Sequence, residues 1–260
     1  MITSAQNPKV KWVDALQTQA KVRKETGAFV IEGVRLAEEA LAAGWDARLV
    51  LFSQELSERG QAALDGFYAA GAPVEEVSEQ VMRSASQTET PQGILVVLAK
   101  PKPSLPEKVD FALIPDGVRD PGNLGTMLRT AAAAGVQAVL IPPGSVDAYA
   151  PKVVRAGMGA HFRSPPIAWE WPAIEAWVIQ NGLTVFMADA QRGEAYYQQD
   201  YRAPVGLVVG GEAFGSGQEA LRLAHKRVHI PMPGGGESLN VAVAAAILLF
   251  EVARQRAQTV

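Results

Sequence analysis

The sequence predicts an α/β protein in two parts, a small α/β unit followed by a larger domain built on a parallel sheet. Three observations predict it. Strand-sized apolar runs alternate with helical stretches, joined by short links. In the second part those runs are short, apolar and non-alternating, as strands covered by helices on both faces should be. Between the parts, residues 100–106 hold three prolines in seven positions. Proline fixes φ and removes an amide donor, so this segment reads as an extended, stiff seam. The expected organisation is a first domain at 1–100, a linker at 101–108 and a second domain at 109–260.

In the first part, residues 9–24 read as one helix, with leucine and valine on one side and lysine or arginine on the other. A short strand at 28–31 and a helix at 35–43, closed by Gly44, follow. Then come a strand at 49–52, a helix at 58–70, a short strand at 75–77, a short helix at 79–85 and a strong strand at 94–99. In the second part, strands are expected at 111–114, 138–141, 184–187, 206–209 and 227–230. Helices are expected at 125–134, 151–159, 169–180, 217–223 and 240–255. The last is apolar on nearly every side through 241–249, the pattern of a helix buried all round.

Composition narrows the chemistry. About half of the 260 residues are apolar, enough for a substantial core and too many for wholesale disorder. The absence of cysteine removes disulfides, thiolate metal sites and thiol nucleophiles. With three histidines and no acidic or histidine partner at useful spacing, no metal site is expected. The N-terminus lacks a secretion signal, and the longest apolar run, at 241–250, is too short to span a membrane. A cytoplasmic protein is expected. The net charge of −3 neither advertises nor excludes nucleic-acid binding, because a local patch carries that footprint.

Three motifs carry the functional reading, each at the C-terminal end of an expected strand, where open parallel sheets bind ligands. The first spans residues 116–131. Its turn-rich loop runs into a helix expected to start near Leu124 or Gly125, with Asn123 as N-cap and Arg129 near the mouth of the site. The second, Leu207 to Gly215, places three glycines in six residues around Glu212. It has neither the lysine of a phosphate loop nor dinucleotide-binding spacing. The third, residues 228–240, has two prolines, then Gly234, Gly235 and Gly236, then Ser238 and Asn240, one of which should cap the last helix. Two glycine-bearing strand ends describe a ligand pocket made mainly of main chain.

Together these residues resemble the SpoU, or TrmH-like, branch of the knotted SPOUT methyltransferases, which methylate a ribose 2'-hydroxyl in tRNA or rRNA. The likeness rests on Asp120 to Gly125 with Arg129, Thr130 and Ala131; on Val208 to Glu212 with Gly215; and on Ile230, Pro231 and Met232 with Glu237 to Ala244. Order and approximate spacing agree over residues 111–250. Residues 7–11, 29–35 and 90–93 resemble a ribosomal-protein-like substrate-binding domain, which points towards 23S-type rRNA. Two departures stand out. Gly157 and Met158 lie where members often carry a serine, and Gly211 replaces a commoner serine or asparagine.

The resemblance implies a deep trefoil knot, a homodimer with an active site built from both subunits, and S-adenosyl-L-methionine as cofactor. It implies Arg129, Asn123, Glu212 and Asn240 as catalytic residues. Arg129 would either serve as base or hold the developing alkoxide; a guanidinium is a very weak base. Leu207, Val209, Gly210, Gly211, Ile230, Met232, Ser238 and Leu239 would form the cofactor pocket. Lys9, Lys11, Arg23, Lys24, Arg35, Arg119, Lys152 and Arg155 are the candidate RNA-binding cations. The alternatives are a tRNA target, or a protein of this fold that binds RNA or ribosomes without chemistry.

Overall fold

The computed structural model describes residues 1–102, 104–210 and 217–257. The chain forms two compact units, one of Met1–Lys102 with Tyr149–Phe162 and one of Pro103–Ala148 with Arg163–Val260.

The first unit opens with α1 (Pro8–Thr18), α2 (Ala20–Thr26), β1 (Ala28–Glu32) and α3 (Val34–Ala42). It continues with β2 (Ala47–Phe52), α4 (Glu58–Ala69), β3 (Val74–Glu76), α5 (Glu79–Ala85) and β4 (Ile94–Ala99). The sheet order is β1-β4-β2-β3, antiparallel except for the β2–β3 pair. Helices α1 and α5 pack on one side, where Val10, Val13 and Leu16 meet Val81, Met82 and Ala85.

The single helix expected at 9–24 is two. Gln19 is extended (φ −119°, ψ 109°) and breaks it. Arg23 folds back from α2, and its guanidinium donates to the carbonyls of Leu16 at 2.6 Å and Gln17 at 3.3 Å. These are last-turn carbonyls of α1, which the helix cannot satisfy itself. The break and the buried arginine are one arrangement.

The second unit begins with β5 (Phe111–Asp116), α6 (Pro121–Ala133) and β6 (Ala138–Ile141). Next in the chain are α7 (Pro151–Gly157) and α8 (Ala160–Arg163), most of which groups with the first unit. Met158 ends α7 in the left-handed region at φ 47°, a conformation unusual for a residue with a side chain. The second unit resumes with β7 (Ile167–Ala168), α9 (Trp171–Gln180), β8 (Thr184–Ala188) and β9 (Glu194–Ala195). It closes with β10 (Val205–Gly210), α10 (Gln218–Leu223), β11 (Lys226–His229) and α11 (Val241–Ala257).

The seven strands lie in the order β7-β6-β5-β10-β8-β11-β9, and every pairing is parallel. The apolar, non-alternating strands therefore do what their composition predicts. Strands β7 and β9, two residues each, are too short to leave a sequence pattern.

Helix α11 packs against α6 and β10. Its far end is fixed by Arg256, which donates to the Asp110 carboxylate at 2.9 Å and to the carbonyls of Asp110 and Ala203. The expectation that α11 is buried all round needs correction. Val243 and Phe250 are 48% and 51% exposed, with half-buried Ala246 and Ile247 between them. This spacing leaves one apolar stripe uncovered by the described residues. No described helix is long and apolar enough to cross a membrane.

Candidate methyl-donor site

The C-terminal ends of β10, β8 and β11 open into a cavity of about 700 Å³. Its walls are mostly apolar, from Met187, Val209, Ile230, Met232, Leu239 and Val241. Ala188 and Gly210, with little or no side chain, bring main chain to the wall between them. Such a cavity suits a ligand with a flat, largely apolar body that is read by backbone amides and carbonyls.

Two helix starts meet at its wall. Helix α6 begins earlier than the sequence suggested. Asp120, not Asn123, is the N-cap; its carboxylate accepts the Asn123 amide at 2.7 Å. Pro121 at the first helical position has the φ a helix needs and no amide to satisfy. Asn123 therefore sits in the first turn, where its side chain carbonyl accepts from Asn240 Nδ2 at 2.9 Å. Asn240 is the cap of α11: its Oδ1 accepts from the amides of Ala242 at 2.9 Å and Val243 at 3.3 Å. One asparagine thus starts the last helix and ties it to α6.

The sequence places Val209, Gly210, Ile230, Met232, Ser238, Leu239, Asn123 and Asn240 at this site, and the structure brings all eight to the cavity. Leu207 is not among its lining. It is fully buried inside β10, paired with Leu113 and Phe186, and belongs to the sheet core. Gly211 and Glu212 lie outside the described residues. Arg129 does not line the cavity. It stands on the exposed side of α6 with Gly122 and Thr126, and no described residue makes a hydrogen bond or ion pair with its side chain.

Gly210 has a reason that the sequence did not reveal. It pairs with Asp116, and a Cβ built on it would overlap the Asp116 carbonyl and Cα. The glycine is required by close packing of β5 on β10, before any ligand is considered. Asp116 itself, 6% exposed, accepts the Gly217 amide through Oδ2 at 2.7 Å. Burial raises its pKa; the Gly217 amide opposes that, and the charge of Glu219 adds to it.

Sequence reasoning also missed the end of β8. Ala188, Asp189, Ala190 and Arg192 line the cavity, as does Arg227 of β11. Asp189 Oδ1 accepts the amides of Gln191 and Arg192, which shapes the turn there. No glycine cluster marks this strand end; only the general rule about strand ends could have found it.

Of the candidate RNA-binding cations, Arg23 is removed by its burial at 4% exposure and its carbonyl partners. Lys11, Lys24, Lys152 and Arg119 are exposed. Lys9 pairs with Glu75, Arg35 with Glu39 at 3.9 Å, and Arg155 with Glu32 at 4.0 Å. Among the described residues no group of histidines and carboxylates could hold a metal ion.

The model of the SpoU rRNA Methylase family matches residues 110–250. The chain belongs to that family. Ahead of the SpoU region, an MRM3-like substrate binding domain matches residues 7–96. The chain is 36% identical over 251 residues to 23S rRNA (guanosine(2553)-2'-O)-methyltransferase RlmP of Bacillus subtilis, covering 96% of this chain and 98% of that one. It is 35% identical over 292 residues to human mitochondrial rRNA methyltransferase 3, covering 90% of this chain and 69% of that one. Among solved SpoU-type structures, the AdoMet-bound rRNA methyltransferase from Sinorhizobium meliloti superposes with a TM-score of 0.87 at 32% identity, over 97% of each chain.

Proposed function

We propose that this chain transfers a methyl group from S-adenosylmethionine to a ribose 2'-hydroxyl of 23S-type ribosomal RNA. The observation that carries this reading is the cavity at the ends of β8, β10 and β11, with the Asn123–Asn240 pair in its wall. Its volume and its apolar, backbone-rich lining fit an adenosyl group. The choice of ribosomal RNA rests on the relatives named above and on the substrate-binding match.

The bound donor supplies an activated methyl group on sulfur. The work left to the chain is to align the ribose oxygen with that methyl and to stabilise charge as the proton leaves. Asn123 and Asn240 orient groups at the cavity wall; Glu212, catalytic by the family resemblance, is assigned the same task. A guanidinium carries five donors and no acceptor, so Arg129 is assigned to hold the developing alkoxide and a neighbouring phosphate.

Arg129 lies outside the cavity of its own chain, and α11 carries an uncovered apolar stripe at Val243, Ile247 and Phe250. Both observations support a homodimer in which Arg129 serves the partner's site. The family resemblance supports a trefoil knot around the third motif. The RNA-binding part is residues 1–100, joined by 101–108 to the methyltransferase domain at 109–260, with Lys11 and Lys24 among its contacts. The likeness to the Bacillus subtilis 23S rRNA enzyme supports a cytoplasmic location.

The test is transfer of labelled methyl from S-adenosylmethionine to 23S-type rRNA and to tRNA, followed by alkaline hydrolysis. A 2'-O-methyl blocks cleavage of the adjacent phosphodiester, so the label should survive in a dinucleotide from rRNA alone. Label in tRNA, or label on a base, overturns the reading.

A further inference from the structure

We propose that Arg227, on β11, grips the carboxylate of the methyl donor and makes the site selective for donors that carry one. This rests on the functional reading above. Arg227 is half-buried and lines the cavity. Its side chain makes no hydrogen bond and no ion pair with any described residue. Elsewhere in this unit, Arg202, Arg222, Arg254 and Arg256 each pair with a carboxylate. A partly desolvated guanidinium without a counter-charge is unfavourable, and a ligand anion relieves it.

The surroundings define that anion. Arg227 pairs in register with Met187, so the two side chains share a face of the sheet, and Met187 and Leu221 line the cavity beside it. The remaining charged lining is Arg192 and Asp189, and one oxygen of Asp189 already accepts two amides. The cavity therefore joins an apolar body to a cationic wall. S-adenosylmethionine has one anionic group, the carboxylate of its amino-acid tail. Its sulfonium and ammonium groups are repelled by a guanidinium, which directs the carboxylate to Arg227 and the sulfonium away from it. A guanidinium also matches a carboxylate with two parallel hydrogen bonds, which a lysine cannot reproduce.

The experiment is a two-by-two calorimetric titration. Wild-type protein and Arg227→Met are each titrated with S-adenosylmethionine and with decarboxylated S-adenosylmethionine. Wild type should bind the carboxylate-bearing donor about ten-fold more tightly, equivalent to about 1.4 kcal/mol. Arg227→Met should lose that preference by weakening S-adenosylmethionine alone, and Arg227→Lys should recover part of it. Equal weakening of both donors, or of neither, overturns the assignment. So does a wild-type protein with no preference, a result that needs no variant to fold. If wild type binds neither donor, the functional reading falls and this inference with it.

Discussion

Replacing Asn240 separates two jobs that one side chain performs. Its Oδ1 caps α11 by accepting the amides of Ala242 and Val243, and its Nδ2 reaches Asn123 at 2.9 Å. Loss of an asparagine N-cap to alanine costs about 1 kcal/mol. The released Asn123 carbonyl is only half-buried, so water replaces much of its bond. Asn240→Ala should therefore destabilise the protein by about 1–1.5 kcal/mol, a fall of about 3 °C in melting temperature for a protein of this size. Serine caps a helix about as well as asparagine but is too short to reach Asn123. Asn240→Ser should stay within about 0.3 kcal/mol of wild type, yet share the loss of methyl transfer with the alanine variant. Urea unfolding followed by circular dichroism gives the stabilities, and labelled-methyl incorporation gives the activity. Equal stability of the two variants would refute the cap; full activity in Asn240→Ser would refute the role of the Asn123 link.

Gly210→Ala should lose about 1–3 kcal/mol in urea unfolding, because its Cβ meets the backbone of Asp116, which cannot rotate away. Arg23→Ala should cost about 2 kcal/mol by stranding the carbonyls of Leu16 and Gln17, whereas Lys24→Ala should stay within about 0.5 kcal/mol. Asp116 binds its proton more tightly in the folded state than in the unfolded one, because burial raises its pKa. Its stabilising contribution is thus complete below the unfolded value of about 3.9 and is lost as pH rises through the folded value. Asp116→Asn keeps an acceptor for Gly217 and should abolish that fall in a pH series of unfolding curves; an unchanged series would remove Asp116 as its source. Phe250→Glu puts a charge in the apolar stripe of α11 and should shift sedimentation towards monomer; an unshifted dimer would place the interface elsewhere.

What the sequence made legible follows from which constraints are local. Apolar runs and glycine clusters announce strand ends by themselves, so Val209, Ile230 and Met232 were found. Caps are also local, but Asp120 and Asn123 both compete for one, and the proline between them decides by favouring the first helical position. Arg23 looked like a surface cation because the break at Gln19 leaves no mark on helical periodicity. The need for glycine at 210 and the bond from the Gly217 amide to Asp116 depend on β5 lying beside β10. Strand order of that kind is set by the whole sheet, and no stretch of sequence records it.

The pairing of β5 with β10 also sets the order in which the molecule can be assembled. Phe111 must wait for Val205, and Asn123 must wait for Asn240. Contacts so distant along the chain form late, because their loops must close before they stabilise anything. During synthesis the first unit's sheet can close as soon as β4 has emerged, while every cavity-lining residue except Asn123 belongs to the stretch from Met187 to Ala244. A ribosome that stalls late in this message would release a chain with its first sheet complete and no donor cavity. The donor cavity is complete only once Ala244 has emerged.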